Sequence, residues 1–249
     1  MSVSIFTQSI EDATITLTNG GTSVKEILKW RDIRQKGIDL SSSVVLSIEI
    51  DFGASYIADD ILFGNIYTDG ETSIQPYSWN GSSYVAWGSP VSLGAVSNVN
   101  YLITPGSSQT ATKYKIQIDM TLNGATNLEI GCIFFGTVYT FPVNYQQDNN
   151  RGYFIRYEKD YDNYGYGYSQ IWNATTKQIY DFGFHLTESQ FATLKTYFGY
   201  MGFGAKRFFI KDTNVDANWH LAEWGGDSEL TGDNISSGYY NIPFMAREV

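Results

Sequence analysis

Few residues in this 249-residue chain have the type and spacing for chemistry. It holds one cysteine, Cys132, and two histidines, His185 and His220. A reactive thiol needs a neighbouring base in an electropositive, partly open setting. Cys132 instead lies in "EIGCIFFG", among Ile130, Ile133, Phe134 and Phe135, and reads as a small buried hydrophobe. Both histidines fall inside apolar strand patterns, and no HxH, HExxH or CxxC spacing offers zinc a ligand set. There is no Gly-x-Ser-x-Gly elbow and no phosphate-binding glycine loop, so the sequence predicts no cofactor. In "DTNVDANWHLAE", Asp212, Asn214, Asp216, Asn218 and Glu223 take positions one, three, five, seven and twelve of a calcium loop. Position six, however, is Ala217 where the sharp turn needs glycine, and alternating Asx residues also build ordinary turns, so no metal site is predicted. Carboxylates for glycoside cleavage could come from Asp59/Asp60, Glu158/Asp160/Asp162 or Glu223/Asp227, but no motif fixes their separation. The rings of Trp79, Tyr84 and Trp87 could form a stacking platform for sugar, although such rings also fill sandwich cores and interfaces.

The elements that must carry these residues are mostly strands. In "VVLSIEIDF", Val44, Leu46, Ile48, Ile50 and Phe52 alternate with polar residues, as do Tyr114, Ile116, Ile118, Met120 and Leu122 in "KYKIQIDMTL". That period of two marks strands with one face in a core and one in water. Shorter runs occur at "TITLT", "ILFGNIYT", "SYVAW" and "EIGCIFFG", separated by turn-forming "TNGGTS", "WNGSS" and "TPGSSQ". The expected fold is mainly β. Residues 1–138 form an antiparallel, jelly-roll-like sandwich, and 139–249 a small α+β domain. In the second part "KQIYDFGFHL" reads as a strand running into "TESQFATLKTYFGYMGFG", the main helix, at about 188–201. Thr187 and Gln190 have capping-box spacing, Phe191, Leu194, Tyr197 and Phe198 share a stripe, and Gly202 or Gly204 ends the helix. Three further strands follow in "AKRFFIKD", "NWHLAEW" and "GYYNIPFMAREV".

Composition bounds the function. Net charge is −10, which argues against nucleic acid and against an anionic membrane surface. No apolar run approaches the ~20 residues of a membrane-spanning helix. "MSVSIFTQSIEDATI" lacks the basic and apolar regions of a secretory signal, so synthesis in a cytoplasm is expected and the glycosylation patterns at Asn80, Asn173 and Asn234 carry no weight. Only 17% of residues are charged while 19 Tyr and 15 Phe are present, a balance that suits large permanent interfaces.

The order of motifs "TATKYKIQID", "NLEIGCIFFGTVYTFPVNYQQD", "YDFGFHLTESQFATLKTYFGYMGFGAKRFFIKD" and "SGYYNIPFMAREV" resembles tail structural proteins of tailed bacteriophages, over roughly the last 140 residues. Cys132 departs from that pattern, which often has a basic residue there, and distal tail proteins commonly place the ring-forming domain first. The resemblance implies a non-enzymatic virion component of the distal-tail, tail-tip or baseplate type, assembled in the host cytoplasm. It would form a homo-oligomeric ring through the α+β part, dock tube, hub or fibre proteins, and display a galactose-binding-like sandwich outward. Tyr164, Tyr166 and Tyr168 in the Tyr-rich loop, and Phe191, Tyr197 and Tyr200 on the helix, are the candidate subunit contacts. A carbohydrate-binding module recognising host-surface glycan is the alternative expectation, and a glycan-cleaving enzyme a third.

Overall fold

The structure is a computed structural model that describes residues 2–142, 152–155, 158–161, 167–170, 176–213, 217–225, 230–236 and 238–249. Of the residues singled out above, Tyr164, Tyr166, Asp162, Asn173, Asn214, Asp216 and Asp227 lie outside the described residues. So do the side chains of Tyr168, Glu158 and Asp160. Of the calcium-loop pattern, Asp212, Asn218 and Glu223 are described.

The molecule is mainly β, with one α-helix among the described residues. In chain order the strands are β1 (Val3–Phe6), β2 (Thr14–Thr18), β3 (Ile38–Leu40), β4 (Val45–Ala58), β5 (Asp60–Thr68), β6 (Glu71–Trp79) and β7 (Tyr84–Ala86). Then come β8 (Val91–Leu93), β9 (Val96–Ile103), β10 (Gln109–Asn123), β11 (Leu128–Ile130), β12 (Cys132–Gly136) and β13 (Tyr139–Thr140). The rest are β14 (Gly152–Ile155), β15 (Glu158–Tyr161), β16 (Gly167–Gln170), β17 (Thr176–Thr187), the helix α1 (Glu188–Tyr200), β18 (Phe208–Asp212), β19 (His220–Trp224), β20 (Asp233–Ser236) and β21 (Tyr239–Glu248).

Two antiparallel sheets form the sandwich. One runs β2-β4-β10-β6-β7 with β8 beside β6, the other β12-β5-β11-β3 with β9 beside β5. The alternation seen in the sequence decides the faces. Leu46, Ile48 and Ile50 of β4, and Tyr114, Ile116, Ile118 and Met120 of β10, are wholly buried between the sheets. Burying side chains of this size contributes about 1.5–3 kcal/mol each. Leu122 departs from the pattern at 61% exposure. The β10–β6 register shifts between Asp119 and Asn123, and this irregularity turns the end of the strand outward. "EIGCIFFG" is likewise two strands. The chain breaks at Gly131, whose N–H donates to the Gly64 carbonyl and whose missing Cβ would stand 3.0 Å from that oxygen.

The second sheet runs β13-β1-β18-β19-β21-β17-β14, with β20 beside β21. Helix α1 lays Phe191, Leu194 and Phe198 against Tyr180, Phe182, Phe184 and Leu186 of β17 and Ile242, Phe244 and Ala246 of β21. The capping box forms: Gln190 N donates to Thr187 Oγ1 (3.3 Å) and Thr187 N to Gln190 Oε1 (2.9 Å). Past the helix, Gly202, Phe203 and Gly204 have φ of +58°, +55° and +87°. Phe203, a bulky residue in left-handed backbone, is 66% exposed.

β1 was expected within the sandwich, yet it pairs with β18 (Val3↔Asp212 to Phe6↔Phe209) and with β13. The sandwich is thus an excursion between two strands of the second sheet. All four residues of β1 are buried, Ser4 included, so it has no solvent-facing side. A run without alternation carries no mark of which sheet completes it. Phe6 also joins Leu62, Cys132, Phe134, Phe209, Trp219 and Leu221 in an apolar seam that fuses the two parts. Arg31 pins the same seam. Its guanidinium donates to the carbonyls of Thr7 (2.8 Å), Arg207 (2.7 Å) and Tyr200 (3.1 Å) and to Glu11 Oε1 (2.7 Å), and it lies 5.2 Å from the centre of the Phe134 ring. Among the described residues, no helix is long and apolar enough to cross a membrane.

Candidate functional site

A cluster of half-buried aromatic groups stands on the outer face of the β2-β4-β10-β6-β7 sheet, and a tight turn builds it. Asn80 Oδ1 accepts hydrogen bonds from Ser82 N, Ser82 Oγ and Ser83 N, while Asn80 N donates to the Ser83 carbonyl. Gly81 supplies the positive φ of +101°. This Asx-closed hairpin fixes the β6–β7 register so that Tyr84 faces Trp79. The two rings meet edge to face, 5.1 Å between centres at 68°. Two residues back along β6, Tyr77 joins them on the same face.

The neighbouring strand supplies charge. Lys115 of β10 sits opposite Tyr77 and holds its Nζ 4.3 Å above that ring and 4.9 Å from the centre of the Tyr84 ring. An ammonium over ring faces is attracted by their negative quadrupole. Glu49, opposite Lys115 on β4, accepts a long hydrogen bond from Tyr84 Oη (3.4 Å). Partial burial and the Glu49 charge push the Tyr84 hydroxyl up to about 12, so it stays a donor at neutral pH. The face therefore offers three half-buried rings, a cation and a carboxylate within one patch. That set can stack a flat apolar surface and hydrogen-bond groups around its rim.

Trp87 is a correction. It is 2% exposed and belongs to the sandwich core, packed 5.7 Å from Tyr114 and 5.9 Å from Phe135, with its ring N–H donating to the Ser107 carbonyl (2.8 Å). It presents no face to a ligand. Strict alternation from Tyr84 places residue 87 on the opposite side, so the signal was in the sequence. Alternation from Trp79 likewise points to Tyr77, which sequence reasoning missed. Lys115 was missed because only the pairing of β10 with β6 brings it over that ring.

The other candidates disperse. Phe191 is a second correction: at 7% exposure it is core, packed against Tyr240, with Lys195 over its ring, and not an available subunit contact. Tyr197 is half-buried, whereas Tyr200 is 43% exposed. Cys132 is fully buried and its thiol pushed up to about 12 by burial. His220 Nδ1 lies 3.4 Å from Glu248 Oε1, and His185 is exposed on β17. Asp59 and Asp60 are tied into the frame, accepting from Thr137 Oγ1 and from Thr104 Oγ1 and Val138 N. Among the described residues, no three histidine, cysteine or acidic side chains converge as a metal site.

No family model matches the chain, and no curated protein matches it. Several solved structures align with about half of the chain. The family 32 carbohydrate-binding module of NanJ from C. perfringens, solved with galactose, aligns at 12% identity and a TM-score of 0.43, over 55% of this chain and 99% of that one. A putative alpha-L-fucosidase from Bacteroides thetaiotaomicron aligns at 12% identity and a TM-score of 0.42, over 53% of this chain and 29% of that one. A pectin-binding carbohydrate-binding module aligns at 11% identity and a TM-score of 0.39, over 50% of this chain and 89% of that one. Likenesses this distant assign the chain to no family.

Proposed function

We propose that the chain is a non-catalytic binding protein whose sandwich recognises carbohydrate on the outer face of its β6–β7–β10 sheet. One observation carries this reading: Tyr77, Trp79 and Tyr84 converge with Lys115 and Glu49 on an accessible face. Sugar rings have an apolar C–H face and a polar rim, and a shelf of rings edged by charged hydrogen-bonding groups complements both. Binding to immobilised glycans is expected to be lost in Trp79→Ala, by about tenfold or more in affinity. Thermal stability should hardly change in that variant, because the ring packs on a surface hairpin. Trp87→Ala serves as the contrast, costing about 3–5 kcal/mol of stability through an emptied core site. Glycan binding undiminished by Trp79→Ala would remove the shelf from the account.

A second reading is that the chain builds a phage tail, with this face displayed from an oligomer assembled in a host cytoplasm. It is favoured by the exposure of Tyr200 (43%) and Phe203 (66%) beside α1, and by a sandwich that emerges as an insertion from the second sheet. Light scattering on the purified chain tests it. An assembly that Phe203→Ser dissociates supports it, and a strict monomer at high concentration counts against it.

A further inference from the structure

Two depressions lie on the seam between the sandwich and α1, sharing Gln8 and Tyr200 as common walls. The larger is an open groove of about 500 Å³ between the end of β4 and the outward face of the helix. No charged side chain lines it, in a protein of net charge −10. Its hydroxyls are oriented. Thr193 and Thr196 donate back to the helix carbonyls of Ser189 (3.0 Å) and Ala192 (3.3 Å), and Thr137 donates to Asp59 Oδ2 (2.8 Å). Each has spent its proton inward and keeps oxygen lone pairs for a ligand. Gln8 is fixed the opposite way. Its Oε1 accepts from Thr137 N (2.7 Å), which leaves both Nε2 protons without a partner among the described residues.

Two rings complete the groove. Tyr197 and Tyr200 meet edge to face, 5.9 Å apart at 87°. Burial raises the Tyr197 hydroxyl's pKa, so it too remains a donor at neutral pH. The adjoining depression, of about 310 Å³, is different in character, because Glu11, Asp12, Arg31 and Lys206 are among its walls. The walls are held from behind, because Arg31 grips the Tyr200 carbonyl and Tyr139 packs 4.8 Å from Tyr197.

The geometry points to a saccharide site at this seam, separate from the aromatic face of the sandwich, taking a neutral polyhydroxylated ligand of one or two sugar units. Aligned acceptors want a ligand rich in O–H donors, the Gln8 amide wants an acceptor, and Tyr200 offers a ring for an apolar face. A sugar hydroxyl supplies donor and acceptor at once. The site is the larger depression, whose uncharged lining selects against uronates and amino sugars, because their ionised groups would find no counter-charge there.

Saturation-transfer NMR on the whole chain tests this, with galactose, lactose, maltose and N-acetylglucosamine at millimolar concentration. At least one is expected to show transfer that persists in Trp79→Ala and disappears in Thr193→Arg. The arginine fills the groove from an exposed helix position at little cost to the helix. Tyr200→Ala should weaken transfer by about tenfold in affinity, and circular dichroism confirms that each variant is folded. Transfer lost in Trp79→Ala but kept in Thr193→Arg assigns the sugar to the sandwich face and overturns this second site. No transfer with any of the four sugars overturns it as well. Should self-association then vanish in Thr193→Arg, the groove is a contact between copies of the chain.

Discussion

Cys132 shows how a residue's surroundings settle its chemistry. Its Sγ faces Gly64 so closely that a Cβ there would lie 2.5 Å from the sulfur, and the apolar seam around it is flanked by the charges of Asp32 and Arg31, which act on the thiol in opposite directions. Burial disfavours the thiolate and pushes the thiol up to about 12, so at neutral pH the nucleophilic form is absent. A thiol reagent is therefore expected to label the native protein no faster than it unfolds, and stoichiometric labelling within the mixing time would refute this. Gly64→Ala should cost about 1–3 kcal/mol by overpacking the same spot, read as a lower thermal midpoint. Trp79 and Trp87 teach the complementary lesson. Eight positions apart and chemically identical, they take opposite roles, because the hairpin sets Trp79 and Tyr84 on the outer face and alternation from Tyr84 puts Trp87 on the inner one.

At the scale of elements, the start of α1 was set by local chemistry. Thr187 and Gln190 exchange hydrogen bonds across the first turn, satisfying donors that the helix cannot satisfy itself. Thr187→Ala is expected to lower stability by about 1 kcal/mol in a denaturant titration, with little change in the slope. A loss near zero would mean that packing of Phe191, Leu194 and Phe198 alone holds the helix end. The long strands β4 and β10 were equally legible, since each buries one face and a slip of one residue would invert it. β1 was not legible in this way. Four buried residues fit any sheet, and the strand that receives them, β18, lies about two hundred residues along the chain.

Across the whole molecule, the seam makes sandwich and second sheet one unit. Arg31 is its polar clasp, and Glu11 neutralises it while also pairing with Lys206. Burial opposes ionisation of Glu11, but its bonds to Lys206 and Arg31 outweigh that and hold its carboxyl below the ordinary value. Asp32, bonded to Arg34, is held lower still, at about 2. A depressed folded pKa gives stability that is complete above the unfolded pKa and is lost as pH falls through the folded value. Stability is thus expected to be flat down to about pH 5 and to decline below it, first through Glu11 and further towards about pH 2 through Asp32. Glu11→Gln should cost about 1–3 kcal/mol near neutrality, because it strips a buried guanidinium of its counter-charge. It should also flatten the first part of the acid decline. An unchanged acid profile in that variant would show that other carboxylates govern it.

By itself the sequence determined the class of fold, the faces of the long strands, the turn at Asn80–Ser83, the capped helix and the burial of the lone cysteine. Each of these follows from side-chain period or from hydrogen bonds within a few residues. Only the tertiary structure decided that β1 lies between β13 and β18 in the second sheet, that Lys115 meets Tyr77 and Tyr84, and that Gln8, Thr137 and Tyr200 border one groove. Those meetings join residues distant in the chain through strand register and packing. The period of any single segment says which side a residue faces, and nothing about the neighbour it will find there.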